Sequence, residues 1–149
     1  MKLLVVADSH GEVIELRNLY LKHQDQDLYL HLGDYEVDEN LLPSVFISVK
    51  GNNDYYSSSP LRREINLNGV KIVMEHGHNY RFKDDNYVRS LNADIYLYGH
   101  THVRSFRKVD NTYVYNPGSF TRPRDSYYLS YLLIEIDKGK IDYKFMTLW

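Results

Sequence analysis

Five short polar clusters hold most of the histidines of this chain, and each of them contains a glycine and follows an apolar run typical of a buried strand. Six of the seven histidines lie in these clusters, and only His23 lies outside them. The clusters are Asp8-Ser9-His10-Gly11, His31-Leu32-Gly33-Asp34, Gly51-Asn52-Asn53-Asp54, His76-Gly77-His78 and Gly99-His100-Thr101-His102. Five such clusters are hard to explain as solvated loops, because buried polar groups need partners.

Metal coordination is the chemistry that these residue types favour. Asp-x-His and His-x-His place two side chains on the same side of an extended segment, close enough to bind one ion. Imidazole and carboxylate ligands suit divalent first-row metals. Two ions about 3.5–4 Å apart activate water and bind both the attacking and the leaving oxygen of a displacement at phosphorus. A carboxylate between the ions can bridge them, and Asp34 is the candidate.

The elements that must position these clusters begin with an alternation of strands and helices. Apolar runs predict strands at Lys2–Ala7, Leu28–Leu32 and Val45–Val49, and helical spacing predicts a helix over Glu12–His23. A further helix is expected before Pro43. This order predicts parallel strands, whose carboxyl ends are where ligands bind in α/β sheets.

The second half of the chain has the pattern of antiparallel hairpins. Asn68-Gly69 is typical of a type I′ turn. Asp110-Asn111 and Asp137-Lys138-Gly139 mark two further turns. The expected strands are Arg62–Leu67, Val70–Glu75, Asp94–Tyr98, Val103–Val109, Thr112–Tyr115, Tyr128–Ile136 and Lys140–Leu148, with a helix over Lys83–Leu91. We therefore expect one mixed α/β domain over residues 1–149.

The composition narrows the class of protein. A net charge of −2 gives no reason to expect general binding to nucleic acid or to an anionic membrane, and no apolar run reaches the ~20 residues of a membrane span. The absence of cysteine excludes disulfides and thiolate metal sites. The apolar start, Met1 to Ala7, does not have the pattern of a signal peptide. We expect a cytoplasmic protein with a small-molecule substrate; an oligomer is compatible with the sequence but not indicated by it.

In these ordered blocks the chain resembles the calcineurin-like metallophosphoesterase superfamily. The short chain and the Asn116-Pro117-Gly118-Ser119 block resemble its small prokaryotic phosphodiesterase branch. The resemblance implies a two-sheet β-sandwich flanked by helices. It also implies two divalent metal ions, manganese by preference, with nickel, iron, cobalt, zinc and magnesium as alternatives. One ion would be held by Asp8, His10, Asp34 and His102, and the other by Asp34, Asn52, His76 and His100. The nucleophile would be a water or hydroxide between them.

Three more residues are catalytic candidates: Asn53, Asp54 and His78. Many members of the superfamily have a histidine where this chain has Asn53, and asparagine cannot act as a general acid at neutral pH. The departure favours phosphodiesters with good leaving groups over alkyl monoesters. His78 is expected to contact the phosphate or to orient a ligand.

Other interpretations remain open at this point. The protein could be a phosphomonoesterase, or a non-catalytic scaffold like the retromer subunit of the same fold. A metallo-β-lactamase-like enzyme would need a contiguous His-x-His-x-Asp-His, which the sequence lacks. Arg122 and Arg124 could steer phosphate. Four tyrosines beyond the clusters could stack on a nucleobase, although packing is the favoured interpretation: Tyr35, Tyr55, Tyr56 and Tyr80.

Overall fold

Ten strands form two five-stranded sheets in the computed structural model, which describes residues 1–148. In chain order the strands are β1 (Lys2–Val6), β2 (Leu28–His31), β3 (Phe46–Ser48), β4 (Arg62–Leu67), β5 (Val70–Glu75), β6 (Ile95–Leu97), β7 (Arg104–Val109), β8 (Thr112–Pro117), β9 (Ser130–Asp137) and β10 (Lys140–Thr147). The first sheet has the order β10-β9-β1-β2-β3, and the second has the order β4-β5-β6-β8-β7.

Both sheets combine three parallel strands with antiparallel ones. In the first sheet β1, β2 and β3 are parallel, whereas β9 pairs antiparallel with both β1 and β10. In the second sheet β5, β6 and β8 are parallel, and β4 and β7 pair antiparallel at the edges. The carboxyl ends of the parallel strands of each sheet therefore open on a common edge, where ligands bind in folds of this type.

The main core lies between the two sheets. Leu3 and Val5 of β1 face this core, where they meet Ile72 and Leu97 of the second sheet. Their neighbour Leu4 points to the opposite face of the sheet, as the two-residue period of a strand requires. Strands that are buried on both faces read as continuous apolar runs, which is why β1 showed no polar alternation.

Two helices cover the outer faces of the sheets. Helix α1 (Val13–Lys22) packs Leu16 and Leu19 against the first sheet. Helix α2 (Asp85–Ser90) packs Val88 against the second. The predicted fold class, a β-sandwich of mixed strands flanked by helices, is confirmed. No helix within residues 1–148 has the length and apolar character needed to cross a membrane.

The prediction of a helix before Pro43 is wrong, because that segment forms one 3-10 turn, Glu39–Leu41. Asp38 caps the turn through a hydrogen bond from the Asn40 amide. The preceding residues are held to a distant loop through the Asp54 carboxylate, which accepts the Glu36 amide, so they are not free to extend a helix. The type I′ turn is confirmed, with φ of 52° at Asn68 and 77° at Gly69.

Candidate metal centre

The five polar clusters converge at one end of the sandwich. Backbone hydrogen bonds join the cluster after β1 to the cluster after β2, from the Asp8 amide to the Gly33 carbonyl at 3.0 Å. The Gly99 amide, after β6, donates to the His76 carbonyl, after β5, at 2.8 Å. The two sheets are linked where the His100 amide donates to Oδ2 of Asp8 at 3.2 Å. Loops that lie up to 92 residues apart therefore build one site.

Carboxylates and imidazoles meet at the centre of this site. Oδ1 of Asp8 lies 3.4 Å from Nε2 of His102 and 3.9 Å from Nε2 of His76. Oδ2 of Asp34 lies 3.4 Å from Nε2 of His76, and Nε2 of His10 lies 3.5 Å from Nε2 of His102. Asp8 thus shares one group of potential ligands with His10 and His102, and another with Asp34 and His76.

Three of the histidines are oriented through the ring nitrogen that points away from the centre. Nδ1 of His76 donates to the Leu32 carbonyl, and Nδ1 of His102 donates to the Arg122 carbonyl, both at 2.7 Å. Nδ1 of His10 lies 2.6 Å from Oε1 of Glu36. A hydrogen bond of this kind fixes the tautomer and leaves the Nε2 lone pair free to bind a metal.

Two buried polar atoms at the centre have no hydrogen-bond partner within residues 1–148: Oδ1 of Asp8 and Nε2 of His76. Both side chains are fully buried. Unpaired buried polar atoms are rare and costly in folded proteins. A carboxylate oxygen and an imidazole lone pair that face the same point are both acceptors, so a cation satisfies them together. The residues therefore fit a metal ion.

The remaining predicted ligands line an open cleft of about 500 Å³ above these atoms. Asn52 and His100 lie in its wall beside Asp34, His10 and His102. The ring of His100 lies 5.2 Å from the ring of His76, and its Nε2 is 3.2 Å from the Tyr80 hydroxyl. The structure thus brings all seven sequence-predicted ligands to one place: Asp8, His10, Asp34, Asn52, His76, His100 and His102.

The three catalytic candidates differ in what they contact. Asn53 donates to both oxygens of Asp34, from its backbone and from its side chain, each at 2.9 Å. The Asp54 carboxylate accepts backbone amides of Asp34 and Glu36 and is buried; these are the contacts of a positioning residue. His78 lies 5.6 Å from the His76 ring, with a buried and unpaired Nδ1. The catalytic roles of all three stay predictions.

The backbone at the site adopts a conformation that side chains disfavour. Positive φ angles occur at five of the seven ligands, namely Asp8, His10, Asp34, His100 and His102. Strain of this kind clusters at functional sites, because the surrounding structure must hold it in place. Close approach adds a second constraint: a Cβ on Gly51 would lie 2.1 Å from Oδ1 of Asp34.

The electrostatics of the site favour a bound cation. Burial opposes a charge on His76, but the carboxylates of Asp34 and Asp8 outweigh it and raise its pKa. The close approach of the Asp8 carboxylate, together with its charge, raises the pKa of His102. Burial alone would raise the pKa of Asp34, yet His76 and Asn53 hold it well below its usual range. A metal ion would take the place of these protons, because ligand histidines must be neutral.

Several residues that support the site were not identified from the sequence. Glu36 holds His10, Tyr80 contacts His100, and the Asn116-Pro117-Gly118-Ser119 block anchors two ligand loops: Asn116 donates to the Gly99 carbonyl and Ser119 to the Asp8 carbonyl. In the sequence this block indicated only the branch of the family that the chain resembles. His31 is fully buried and bonds Ser9 at 2.8 Å, so its role is structural.

Comparison with known proteins gives one family. The family described as the calcineurin-like phosphoesterase superfamily domain matches residues 1–139. YsnB of Bacillus subtilis, described as a probable metallophosphoesterase, is 29% identical over 153 residues, covering 97% of this chain and 90% of its own. A protein of Methanocaldococcus jannaschii named a phosphodiesterase is 27% identical over 140 residues, covering 79% of this chain and 83% of its own.

Solved structures agree. A protein from Streptococcus pneumoniae described as a predicted phosphoesterase superposes with a TM-score of 0.88 and 33% identity, covering 98% of this chain and 88% of its own. A Vps29 from Entamoeba histolytica in complex with zinc superposes with a TM-score of 0.74 and 23% identity, covering 99% of each chain. At that identity the second likeness shows the fold alone.

Proposed function

Because the chain belongs to the calcineurin-like phosphoesterase superfamily, we propose that it is a metal-dependent phosphodiesterase that hydrolyses small diesters. The observation that carries the proposal is a pair of buried acceptors, Oδ1 of Asp8 and Nε2 of His76, which lie 3.9 Å apart and have no hydrogen-bond partner among residues 1–148. A scaffold has no need to maintain such a costly arrangement. A relative named a phosphodiesterase supports the diester class.

Two divalent ions are the cofactors of the proposal. Asp8, His10, Asp34 and His102 would hold one, and Asp34, Asn52, His76 and His100 would hold the other. When bound, such ions supply Lewis acidity and a water activated for attack at phosphorus. Manganese is the preferred metal, although the N/O ligand set accepts nickel, iron, cobalt, zinc or magnesium.

The side chains of this chain bind and orient the substrate. Arg122 and Arg124 line the cleft beside the ligands and attract an anionic phosphate. His78 lies beside His76 at the edge of the site, within range of a phosphate oxygen or a ligand. Its burial lowers its pKa, so it is neutral at pH 7 and offers either a donor or an acceptor. A cytoplasmic location completes the proposal.

The preference for diesters rests on Asn53. Its amide holds Asp34 and cannot donate a proton to a leaving oxygen as an imidazolium can. A leaving group that needs no protonation is therefore favoured. Asn53→His is expected to raise the ratio of alkyl monoester to aryl diester hydrolysis, measured as phosphate release from glycerol 2-phosphate and 4-nitrophenolate release from bis(4-nitrophenyl) phosphate. Faster monoester turnover by the native protein would contradict the preference.

Metal reconstitution tests the proposal directly. Metal-free protein titrated with Mn²⁺ is expected to bind the ion and to hydrolyse bis(4-nitrophenyl) phosphate, whereas Asp34→Ala protein is expected to do neither. Asp142→Ala, an exposed carboxylate on β10, is the matched control and keeps both properties. Metal binding without hydrolysis would instead favour the scaffold alternative.

A further inference from the structure

A second open cavity, of about 430 Å³, adjoins the metal cleft. Asn53 lines both, so the two cavities lie side by side, and we refer to them together as the groove. The second cavity is also lined by Tyr55 and Tyr56 and by the acidic residues Glu36 and Asp38. A ligand whose phosphorus lies at the metal centre can therefore extend along this groove in the direction of the tyrosines.

The two tyrosines lie at the centre of a tight turn that has no structural use for them. The Ser57 amide donates to the Asp54 carbonyl at 3.2 Å, so Tyr55 and Tyr56 are the central residues of the turn. Tyr55 is 76% exposed and Tyr56 is 99% exposed. The packing interpretation holds for the fully buried Tyr35 but is wrong for these two. Turn positions normally take small or polar residues, and adjacent exposed aromatic rings are typical of a binding surface.

This tyrosine turn is held rigidly at both ends. At its start the Asp54 carboxylate accepts the Gly51 and Asp34 amides, both at 2.7 Å. At its end the Ser57 hydroxyl contacts the Tyr35 hydroxyl and donates to Glu39 at 3.1 Å. A backbone that is held in place before binding loses less entropy when a ligand stacks on its side chains. The turn begins two residues after the predicted ligand Asn52, which keeps it close to the metal centre.

The two cavities of the groove differ in charge, since the metal cleft has two arginines and the second cavity has two acidic residues. Arg122 and Arg124 line the metal cleft, and neither guanidinium forms an ion pair within residues 1–148. The Arg124 amide donates to the His102 carbonyl at 2.9 Å, so this segment lies against the metal site. By contrast, the carboxylates of Glu36 and Asp38 repel anions. Oε2 of Glu36 and Oδ2 of Asp38 accept no hydrogen bond within residues 1–148.

We propose that the groove selects phosphodiesters that carry a nucleoside on one arm and a further anionic group on the other. The base would lie against Tyr55 and Tyr56, and its amino group or the sugar hydroxyls would donate to Glu36 or Asp38, since carboxylates only accept. The second anionic group would lie near Arg122 and Arg124. A dinucleotide with a terminal phosphate carries both groups and serves as a probe of binding. This inference rests on the proposed function, because it names the substrate class of the same site.

Two diesters with the same leaving group isolate the nucleoside arm: thymidine 5′-(4-nitrophenyl phosphate) and methyl 4-nitrophenyl phosphate. The ratio of their kcat/KM values in the Mn²⁺-loaded protein is expected to favour the nucleoside ester by about 5- to 10-fold, the lower part of what base stacking on an aromatic side chain contributes. The ratio is expected to fall towards one in the double variant Tyr55→Ala/Tyr56→Ala. Tyr127→Ala is the matched control, because Tyr127 is fully exposed and lines neither cavity.

The anionic arm is tested with diadenylate that carries or lacks a 5′-phosphate. The phosphorylated form is expected to bind metal-free protein about 10-fold more tightly, as one charge-assisted hydrogen bond to an arginine allows, and Arg122→Ser/Arg124→Ser is expected to abolish that advantage. Arg17→Ser, an exposed arginine on α1, is the control. Equal kcat/KM values for the two 4-nitrophenyl esters in the native protein would overturn the inference. So would a preference for the nucleoside ester that persists in the double tyrosine variant.

Calorimetric binding separates this inference from the proposed function. The 5′-phosphorylated diadenylate is titrated into metal-free protein, where no turnover occurs. If no diester is hydrolysed under any condition, the proposed function fails. In that case the inference is still supported if the double tyrosine variant binds the phosphorylated diadenylate at least about 5-fold more weakly than the native protein. Absence of measurable binding, or binding unaffected by the tyrosines, overturns it. Hydrolysis without nucleoside preference overturns the inference alone.

Discussion

A left-handed backbone conformation, with positive φ, occurs at both ends of the sandwich but in different surroundings. At the end opposite the metal centre, two hairpin turns lie beside the start of β1 in one cavity, and their residues with positive φ are Asn68, Gly69, Lys138 and Gly139. At the metal end positive φ falls on Asp8, His10, Asp34, His100 and His102. Three of the four hairpin residues are glycine or asparagine, which adopt this conformation at little cost, whereas three of the five at the metal end are histidines.

The surroundings of the glycines show the same contrast. A Cβ on Gly69 or Gly139 would meet nothing within 4 Å, whereas a Cβ on Gly51 would meet the backbone amide of Asp34 at 2.3 Å. The turns at the hairpin end therefore cost little folding free energy. The strained backbone and the unpartnered buried carboxylate at the metal end lower stability, and the rest of the fold must offset that loss. Structures commonly lose stability in this way where they gain function.

The largest expected effect comes from Asp8→Asn at the metal end. The variant keeps an acceptor for the His100 amide, and its new amide group can donate to His102, which lies 3.4 Å from the carboxylate oxygen. It loses the charge that a cation needs. We expect hydrolysis of bis(4-nitrophenyl) phosphate to fall at least about 100-fold, because a metal contributes several kcal/mol.

The same variant is expected to leave the metal-free protein as stable as the native protein, or more stable by about 1 kcal/mol, since an unpaired buried acceptor is removed. Chemical denaturation of both metal-free proteins measures this. Asp110→Asn, an exposed carboxylate in the β7–β8 turn, is the control and changes neither property. A clear loss of stability in Asp8→Asn would show that the metal end is not strained.

The second prediction compares one glycine from each end. Gly51→Ala is expected to lower the free energy of unfolding by about 3 kcal/mol and to abolish metal binding, because the added methyl group overlaps the Asp34 loop. Gly69→Ala is expected to cost about 1 kcal/mol, the strain of a left-handed backbone alone. Urea denaturation and Mn²⁺ titration of both variants make the test. Equal costs would remove the contrast between the two ends.

The hairpin end was more predictable from sequence than the metal end, and the reason is the range of the interactions. A type I′ turn depends on two adjacent residues, so Asn68-Gly69 sufficed to place it. The predicted strands begin and end within two residues of the observed bounds for the same reason, because a buried strand leaves a local pattern of apolar residues in the sequence. The missing helix before Pro43 shows the opposite case, since the Glu36 amide of that segment donates a long-range hydrogen bond to the Asp54 carboxylate.

At the metal end the residue types were predictable but their supports were not. Aspartate, asparagine and histidine in glycine-containing clusters indicated ligands, and the resemblance assigned them. Glu36 belongs to no such cluster, and nothing local shows that it meets His10, 26 residues away. The carbonyl of Arg122 that orients His102 carries no side-chain signal at all. Contacts through the backbone become visible only in the folded chain.

The third prediction concerns His31, which lies beneath the metal end and stays neutral. Burial, with a smaller contribution from the charge of His76, lowers the pKa of His31 to about 3. In the unfolded chain its pKa is about 6.5. Between these values the unfolded chain takes up a proton that the folded protein does not, so stability is lost as the pH falls below about 6.5.

Relative to His31→Gln, the native protein is expected to lose about 2 kcal/mol of unfolding free energy between pH 6.5 and pH 4.5, as two pH units of linkage require. Glutamine can keep the hydrogen bond to Ser9 but does not titrate in this range. Denaturation curves at both pH values measure the difference between the two proteins. A difference that does not change with pH would contradict a neutral buried histidine.

The smallest expected effect comes from Glu36→Gln, which keeps an acceptor for Nδ1 of His10 and removes only the charge behind it. A carboxylate in this position makes the metal-binding nitrogen more basic, and loss of such partners lowers metal affinity about 10-fold. Mn²⁺ titration should show that loss, and Glu135→Gln on the exposed side of β9 should not. If affinity is unchanged, the orientation of His10 matters and its charge partner does not, so the strain at the metal end would be geometric rather than electrostatic.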